Sequence, residues 1–350
     1  MRAVIGLVAV TLMGCPFDEE DGDPNNYVVI TEIAKTYKRA YCTYALRCGL
    51  FPDAAVCEGA SLGTTATTFG VDVNEIAGVY AGRVIYNGSN VKRCLDAFAA
   101  QSCDRSDRDG RVLGILVECR DILRGTLDAG EACTIDAECV SQVCSGGDTG
   151  TECVMGTCVG STAPSYEPAQ LGQPCSPTCA EGLFCDLTND ICRPLLAGGQ
   201  LCQGSTDCAY GLLCITESAT TQRVCKVAPA LNEPCPDFVC RDDGQYCDST
   251  TMTCKQVGLP PAQCTSSTQC SQYYPCDFTL QQCKRGPSIG MMCSTSTPCF
   301  DEGAFCDFAS GFCAAAKADG NLCNADIECI SRNCDPTSQP PVCTTPMSCL

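Results

Sequence analysis

Thirty-seven of the 350 residues are cysteine and none is histidine. Sulfur at this density constrains the fold more than any apolar pattern in the chain. It exceeds the level that marks a disulfide scaffold. Disulfides persist only where the surroundings oxidise: the periplasm, the cell surface or the medium. The rival use of cysteine is metal binding, in which zinc and iron–sulfur sites pair thiolates as C-x2-C. No two cysteines here have that spacing, and the closest are Cys175 and Cys179. We therefore expect no metal and no cofactor.

Charge narrows the partners. The 41 acidic and 22 basic residues leave a formal net charge of −19. Nucleic-acid binding needs a basic footprint, so nucleic acid is not an expected partner. Adhesion to anionic lipid by charge is disfavoured for the same reason. Acidity of this kind keeps an exported protein soluble.

The N-terminus reads as a targeting device. Met1-Arg2 supplies a positive start, and Ala3 to Leu12 is apolar apart from Gly6 and Thr11. That run is too short to span a bilayer and fits the apolar part of a signal peptide. Leu12-Met13-Gly14-Cys15 resembles the bacterial lipobox, in which a lipid joins the cysteine and the signal is cut off before it. Removing Cys15 leaves 36 cysteines, an even number that can all pair. The expected organisation begins with a signal peptide over 1–14 and a lipidated Cys15. An acidic tether follows over 15–26, rich in Asp, Gly and Pro, which reaches at most about 35–40 Å. The lipid is the expected membrane anchor, and several acyl chains on one cysteine would hold it firmly.

Residues 27–125 carry few cysteines and show helical periodicity. Ile30, Ile33, Ala34, Tyr37, Tyr41, Tyr44, Ala45 and Cys48 recur at three- and four-residue steps, stopped by Gly49 and Pro52. The tyrosines in that stripe read as core packing. A second helix is expected from Ser89 with Val91, Cys94, Leu95 and Phe98. A third is expected from Val112 to Leu123, with Leu116, Cys119 and Leu123 on one side. Residues 71–85 give another, weakened by Gly78 and Gly82. Tyr86-Asn87-Gly88 reads as a turn. Six cysteines here allow fifteen pairings. The expected set is Cys48–Cys57 and Cys103–Cys119 as local clips, with Cys42–Cys94 joining two helices.

From residue 130 to 350 the chain repeats. Five groups of four cysteines lie between two groups of five, and we number them units 1 to 7. Unit 1 holds Cys133, Cys139, Cys144, Cys153 and Cys158, and unit 7 holds Cys323, Cys329, Cys334, Cys343 and Cys349. First cysteines of successive units are 27 to 42 residues apart, the mark of an array of small units. A glycine precedes the first cysteine by three in five units: Gly130, Gly172, Gly199, Gly290 and Gly320. Asp186, Asp248, Asp277, Asp307 and Asp335 directly follow the third cysteine. Glycine supplies a tight turn and Asp caps one through its side chain. Without clustered D-x-D-x-D spacing these aspartates are not calcium ligands.

Units this small cannot bury enough apolar surface to fold unaided, so disulfides must substitute. Four cysteines allow three pairings. The interleaved one, common in compact cysteine knots, is expected. It gives Cys175–Cys185 and Cys179–Cys192, Cys202–Cys214 and Cys208–Cys225, and Cys235–Cys247 and Cys240–Cys254. It continues with Cys264–Cys276 and Cys270–Cys283, then Cys293–Cys306 and Cys299–Cys313. The five-cysteine units imply a bond between units or an unusual partner.

The G-x-x-C-x5-C-x4-C pattern of Gly130 to Cys144, repeated from Gly320 to Cys334, resembles the cysteine-rich modules named after the N-terminal region of Dickkopf proteins. With Gly82-Arg-Val-Ile-Tyr-Asn-Gly88 and Cys94-Leu95-Asp96-Ala97 in the head, the chain resembles cysteine-rich lipoproteins of Gram-negative soil bacteria. That likeness implies an extracellular setting and protein recognition, and it implies no activity.

Catalytic patterns are sparse. Gly59-Ala60-Ser61-Leu62-Gly63 matches the nucleophile elbow G-x-S-x-G, but no histidine exists to serve as its base. No phosphate-cradling glycine loop occurs. Asp107-Arg108-Asp109-Gly110 lacks calcium ligands at Arg105 and Leu116. Asn87-Gly88-Ser89 is a glycosylation sequon.

The expected fold is a small disulfide-rich modular array, loop-rich with short β-hairpins, preceded by a small all-α disulfide-linked domain. The expected protein is not an enzyme. It is a lipid-anchored surface protein of a bacterial envelope, outer membrane or cell surface, serving as spacer or recognition module for a protein or glycan. One alternative is an inhibitor or receptor ligand working through the stretches Ser161 to Gln170 and Thr216 to Arg223. The other is a carboxylate-only enzyme in the head, which needs a deep cleft with two facing acids.

Overall fold

The apolar stripe from Ile30 forms a 3-10 turn (Ile30–Glu32) and then helix α1 (Ile33–Arg47), which stops just before Gly49. The computed structural model describes residues 26–62, 71–108, 116–147 and 154–344, apart from 176–177, 218, 272, 295–298, 332 and 337. Helix α2 (Ala54–Gly59) starts where the Asp53 side chain accepts from the Val56 N–H. Helix α3 (Val73–Tyr80) starts in a reciprocal cap between Asp72 and Glu75. Then come strand β1 (Val84–Tyr86), helix α4 (Gly88–Ala100), the single turn α5 (Arg105–Arg108) and strand β2 (Leu123–Gly125).

Three local expectations are corrected. The helix expected over 71–85 ends at Tyr80, and Val84 and Ile85 belong to β1. The segment from Val112 to Leu123 is not one helix. Val117–Cys119 is a 3-10 turn, Leu123 opens β2, and 109–115 lie outside the described residues. Strand β2 pairs antiparallel with β1, placing Leu123 opposite Tyr86 and Gly125 opposite Val84. The run Val84-Ile85-Tyr86 has the β-branched and aromatic character of a strand and needs a partner. Nor is Tyr86-Asn87-Gly88 a turn. Tyr86 ends β1 and donates from its hydroxyl to the Val28 carbonyl (2.7 Å), while the Asn87 side chain caps α4 by accepting from the Asn90 N–H.

Around this sheet Ile30, Ile33, Val71, Val84, Val91, Leu95, Ile122 and Leu123 form one core of the head. Full burial of such side chains contributes about 1.5–3 kcal/mol each.

All three expected pairings in the head are corrected. Cys42 bonds Cys57, Cys48 bonds Cys103, and Cys94 bonds Cys119. The reason lies in helix geometry. Cys42 sits inside α1 and meets α2, which packs against it. Cys48 is the C-cap of α1 and meets the chain just beyond α4, the neighbour of α1. Cys94 in α4 meets the 3-10 turn that packs on that helix.

In the tail, unit 1 is a three-stranded antiparallel sheet and units 2 to 7 are antiparallel hairpins. In each hairpin the third cysteine faces the fourth across the strands. In units 2 to 6 these facing pairs are Cys185 and Cys192, Cys214 and Cys225, Cys247 and Cys254, Cys276 and Cys283, and Cys306 and Cys313. The facing residues do not bond one another. The third cysteine reaches the first and the fourth reaches the second, as in Cys175–Cys185 with Cys179–Cys192 and Cys202–Cys214 with Cys208–Cys225. Units 4, 5 and 6 repeat the order. Unit 1 joins Cys133 to Cys144 and Cys139 to Cys158, and unit 7 joins Cys323 to Cys334 and Cys329 to Cys343. Cys153 and Cys349, on which the five-cysteine question turns, lie outside the described residues. The core of a unit is largely its own sulfur, as in the buried set Cys235, Cys240 and Cys254.

Polar side chains finish each unit. Asp186, Asp248, Asp277 and Asp307 cap their hairpin turns, accepting from the N–H of Thr188, Thr250, Thr279 and Ala309 at 2.8–3.0 Å. Three of them also face the basic residue after the fourth cysteine: Arg193, Lys255 and Lys284. The glycines three before the first cysteine all take φ between +78° and +91°, and Asn232 takes +67° at the same place in unit 4.

Candidate functional site

The tail folds back on the head, with contacts from unit 1 and from units 4, 5 and 6. Its first fastening is Glu138 of unit 1. The carboxylate is fully buried, 3.1 Å from the Arg83 guanidinium, and accepts from the Thr134 N–H at 2.6 Å. Arg83 precedes β1, so the pair ties unit 1 to the two-stranded sheet.

Units 4, 5 and 6 also return to the head. Backbone bridges join Asp104 to Asp242 and Ala60 to Asp301. The Arg105 N–H donates to the Arg241 carbonyl (3.0 Å), and the Ser61 N–H donates to the Phe300 carbonyl (2.7 Å). The buried Lys38 ammonium in α1 lies 2.7 Å from Glu302. Gly244 sits against the Cys48 carbonyl, where a Cβ would lie 2.4 Å from that oxygen. One apolar cluster runs through both parts: Tyr44, Leu50 and Phe51 of the head pack with Tyr274 and Phe300 of the tail. Phe51 stacks on Tyr273 with ring centroids 4.8 Å apart.

A cleft of about 310 Å³ opens in this junction, lined by Tyr41, Tyr44, Leu50, Asp243, Val257, Ser271 and Tyr273. Tyr41 and Tyr44 come from α1, three residues apart and so on neighbouring positions of one face. The other polar side chains come from units 4 and 5. The Tyr41 and Tyr273 hydroxyls share a 2.7 Å hydrogen bond, and their rings stand at 83° to one another. Tyr44 donates from its hydroxyl to Asp243. Ser271 is buried and donates to the Leu50 carbonyl at 2.8 Å. Behind the lining, Asp243 faces Arg105 at 3.8 Å and Asp104 faces Arg241 at 3.7 Å. Burial first, and then the charge of Asp104, hold the Asp242 carboxyl above the usual range. The cleft thus has aromatic walls, one carboxylate in its lining and locally balanced charge. The tyrosines of the helical stripe are therefore not confined to core packing. A groove of similar volume between units 3 and 4 is lined by Ile215, Val239 and three prolines, with Lys226 bonded to Asp237.

The other sequence candidates fall elsewhere. Cys15 lies outside the described residues. Ser61 sits on the extended backbone that pairs with unit 6, not at a strand-to-helix elbow, and Gly63 is outside the described residues. Asn87 of the sequon is engaged as the cap of α4. Sulfurs that approach as metal ligands would, such as Cys235, Cys240 and Cys254, belong to two adjacent disulfides and carry no thiolate.

Sequence reasoning missed the acceptor just before the second cysteine. Glu138, Asp207, Gln269 and Glu328 each reach back to N–H groups just after the first cysteine of their unit, closing a 3-10 turn. The signal was present as Glu, Asp or Gln at one place in four C-x5-C loops. It is a capping pattern.

No helix among the described residues is long and apolar enough to cross a membrane. Among curated proteins the chain is similar to cell-cell adhesion glycoprotein 64 of Heterostelium pallidum, 28% identical over 178 residues. The match covers 49% of this chain and 49% of that protein, so the chain spans about half the length of this relative. No family model matches the chain. No solved structure matches it.

Proposed function

We propose that this is a non-catalytic surface protein, held to a bacterial cell envelope by lipid on Cys15, whose disulfide-stapled body recognises a protein or a glycan. The similarity to an adhesion glycoprotein carries the reading. Two physical features support it. Chained disulfides belong to the outside of a cell, and fastening the tail to the head gives a preformed surface, which lowers the ordering cost of binding. The cleft lining offers one carboxylate, where paired acids are what a carboxylate-only enzyme requires.

The test uses the purified full-length protein with its disulfides intact, coupled to beads. Beads should adhere to cells of the source organism or to one another, and adhesion should vanish on reduction. Failure of native beads to adhere to either surface would overturn recognition as the role. Intact mass of envelope-extracted protein checks the anchor, since a chain starting at Cys15 with added acyl mass is expected.

A second reading, a rigid inhibitor or ligand, is favoured by the hairpin tips. Leu187, Phe278 and Phe308 follow the capping aspartate in units 2, 5 and 6 and are 77%, 66% and 70% exposed. Inhibition of a protease panel by the full chain would select it.

A further inference from the structure

We infer that the cleft between α1 and units 4 and 5 is a binding site for a neutral saccharide, one hexopyranose ring deep. The inference rests on the recognition role proposed above and names the chemistry of its ligand.

Three observations converge. The first is shape. A cleft of about 310 Å³ lies at the small end of ligand pockets, enough for one sugar ring and too small for a folded epitope. Its walls are fixed from both sides by covalent bonds, Cys48–Cys103 in the head and Cys264–Cys276 and Cys270–Cys283 in unit 5.

The second is the aromatic lining. Tyr41 and Tyr273 both line the cleft with their rings edge to face at 83°, and the face of Tyr273 turned from the cleft is stacked on Phe51. A pyranose presents a face of polarised C–H groups, and aromatic faces carry negative charge density that attracts them. Leu50 and Val257 extend the apolar surface.

The third is the polar set. Phenolic hydroxyls both donate and accept, and the Asp243 carboxylate accepts strongly. Tyr44 already donates to Asp243 and one of the Tyr41 and Tyr273 hydroxyls donates to the other, so the set offers mainly acceptors to the donating hydroxyls of a sugar. Charge selects against ions. An anion would meet Asp243 with no basic side chain in the lining. A cation would meet a carboxylate already opposed by Arg105 at 3.8 Å and bonded by Tyr44.

The experiment is saturation-transfer NMR on the native full-length protein with glucose, galactose, mannose and N-acetylglucosamine, and with tetramethylammonium as a cation probe. We expect transfer from protein to the ring protons of at least one sugar. Val257→Phe fills the cleft without removing a polar group and should cut that transfer by roughly fivefold or more. Tyr273→Phe keeps the ring, removes one hydroxyl and should weaken the same signal, so the test survives if Val257→Phe does not fold. Transfer to tetramethylammonium alone, no transfer to any sugar, or sugar transfer unchanged in the folded variants would each overturn the inference. Bead adhesion separates it from the broader role. Adhesion that persists in Val257→Phe, with no sugar signal in the parent protein, removes the saccharide site and leaves recognition intact.

Discussion

Replacing Arg83 by methionine tests how unit 1 is held to the head. Glu138 has no exposed surface, and the Arg83 side chain opposite it is 25% exposed. Removing one partner of a buried ion pair costs about 3–5 kcal/mol, because the other charge stays buried without its counter-charge. Partial exposure of Arg83 places the expected cost at the lower end, about 3 kcal/mol. The loss should be local, since the unit keeps both its disulfides and the Thr134 N–H still donates to one Glu138 oxygen. Native-state hydrogen exchange reads this directly. The amides of Leu127 and Val140, which bond across the junction to Glu138 and Leu127, should exchange roughly a hundredfold faster. The double variant Arg83→Met with Glu138→Gln should recover most of the protection. Glutamine keeps an acceptor for Thr134 without a charge, as Gln269 does in unit 5. Exchange at these amides within about twofold of the parent in Arg83→Met would refute the reasoning. Lys92→Ala serves as the control, because the exposed Lys92–Asp96 pair is worth only about 0.3–0.5 kcal/mol.

Four further outcomes are expected. Gly244→Ala should loosen the head–tail junction, because its Cβ would meet the Cys48 carbonyl oxygen at 2.4 Å. Gly211→Ala, at φ +82° with open space around it, should cost only about 1–2 kcal/mol and act within unit 3. Proteolysis between head and tail tells them apart. Removing Cys179–Cys192, which spans 13 residues, by paired serine substitution should destabilise unit 2 by about 3 kcal/mol. Amide exchange in unit 5 should not change. The cap of α3 should depend on pH. Burial and the neighbouring Asp72 push Glu75 up to about 7, above its ordinary 4.5. Its stabilising contribution is thus complete below about pH 4.5 and lost as pH rises through about 7. After correction for intrinsic rates, α3 amides should open more readily at about pH 8 than at about pH 5. No difference between the two would disprove the assignment.

Much of the fold class was legible because cysteine and glycine spacing is a local code. The repeat fixed the existence of hairpins, and the apolar steps of Ile33 to Cys48 and of Val91 to Phe98 marked α1 and α4. What stayed hidden depends on contacts between distant residues. The steps of Leu116, Cys119 and Leu123 suit a helix, and only β1, more than thirty residues earlier, draws Leu123 into a strand and leaves Cys119 in a 3-10 turn. The bonds of Cys48 to Cys103 and Cys94 to Cys119 follow from which helices pack together, which sequence separation does not report. The cleft was invisible for the same reason. Tyr41 and Tyr44 belong to a helical stripe, and nothing near them signals that Asp243 and Tyr273 arrive some 200 residues later.

The fastenings of the tail described above come from unit 1 and from units 4, 5 and 6. Units 2 and 3 therefore occupy an excursion whose two ends are anchored. The entropy cost of closing such an excursion grows only slowly with its length. Gene duplication that adds or deletes a whole cysteine module there changes the size of that excursion while the tyrosine cleft keeps its geometry.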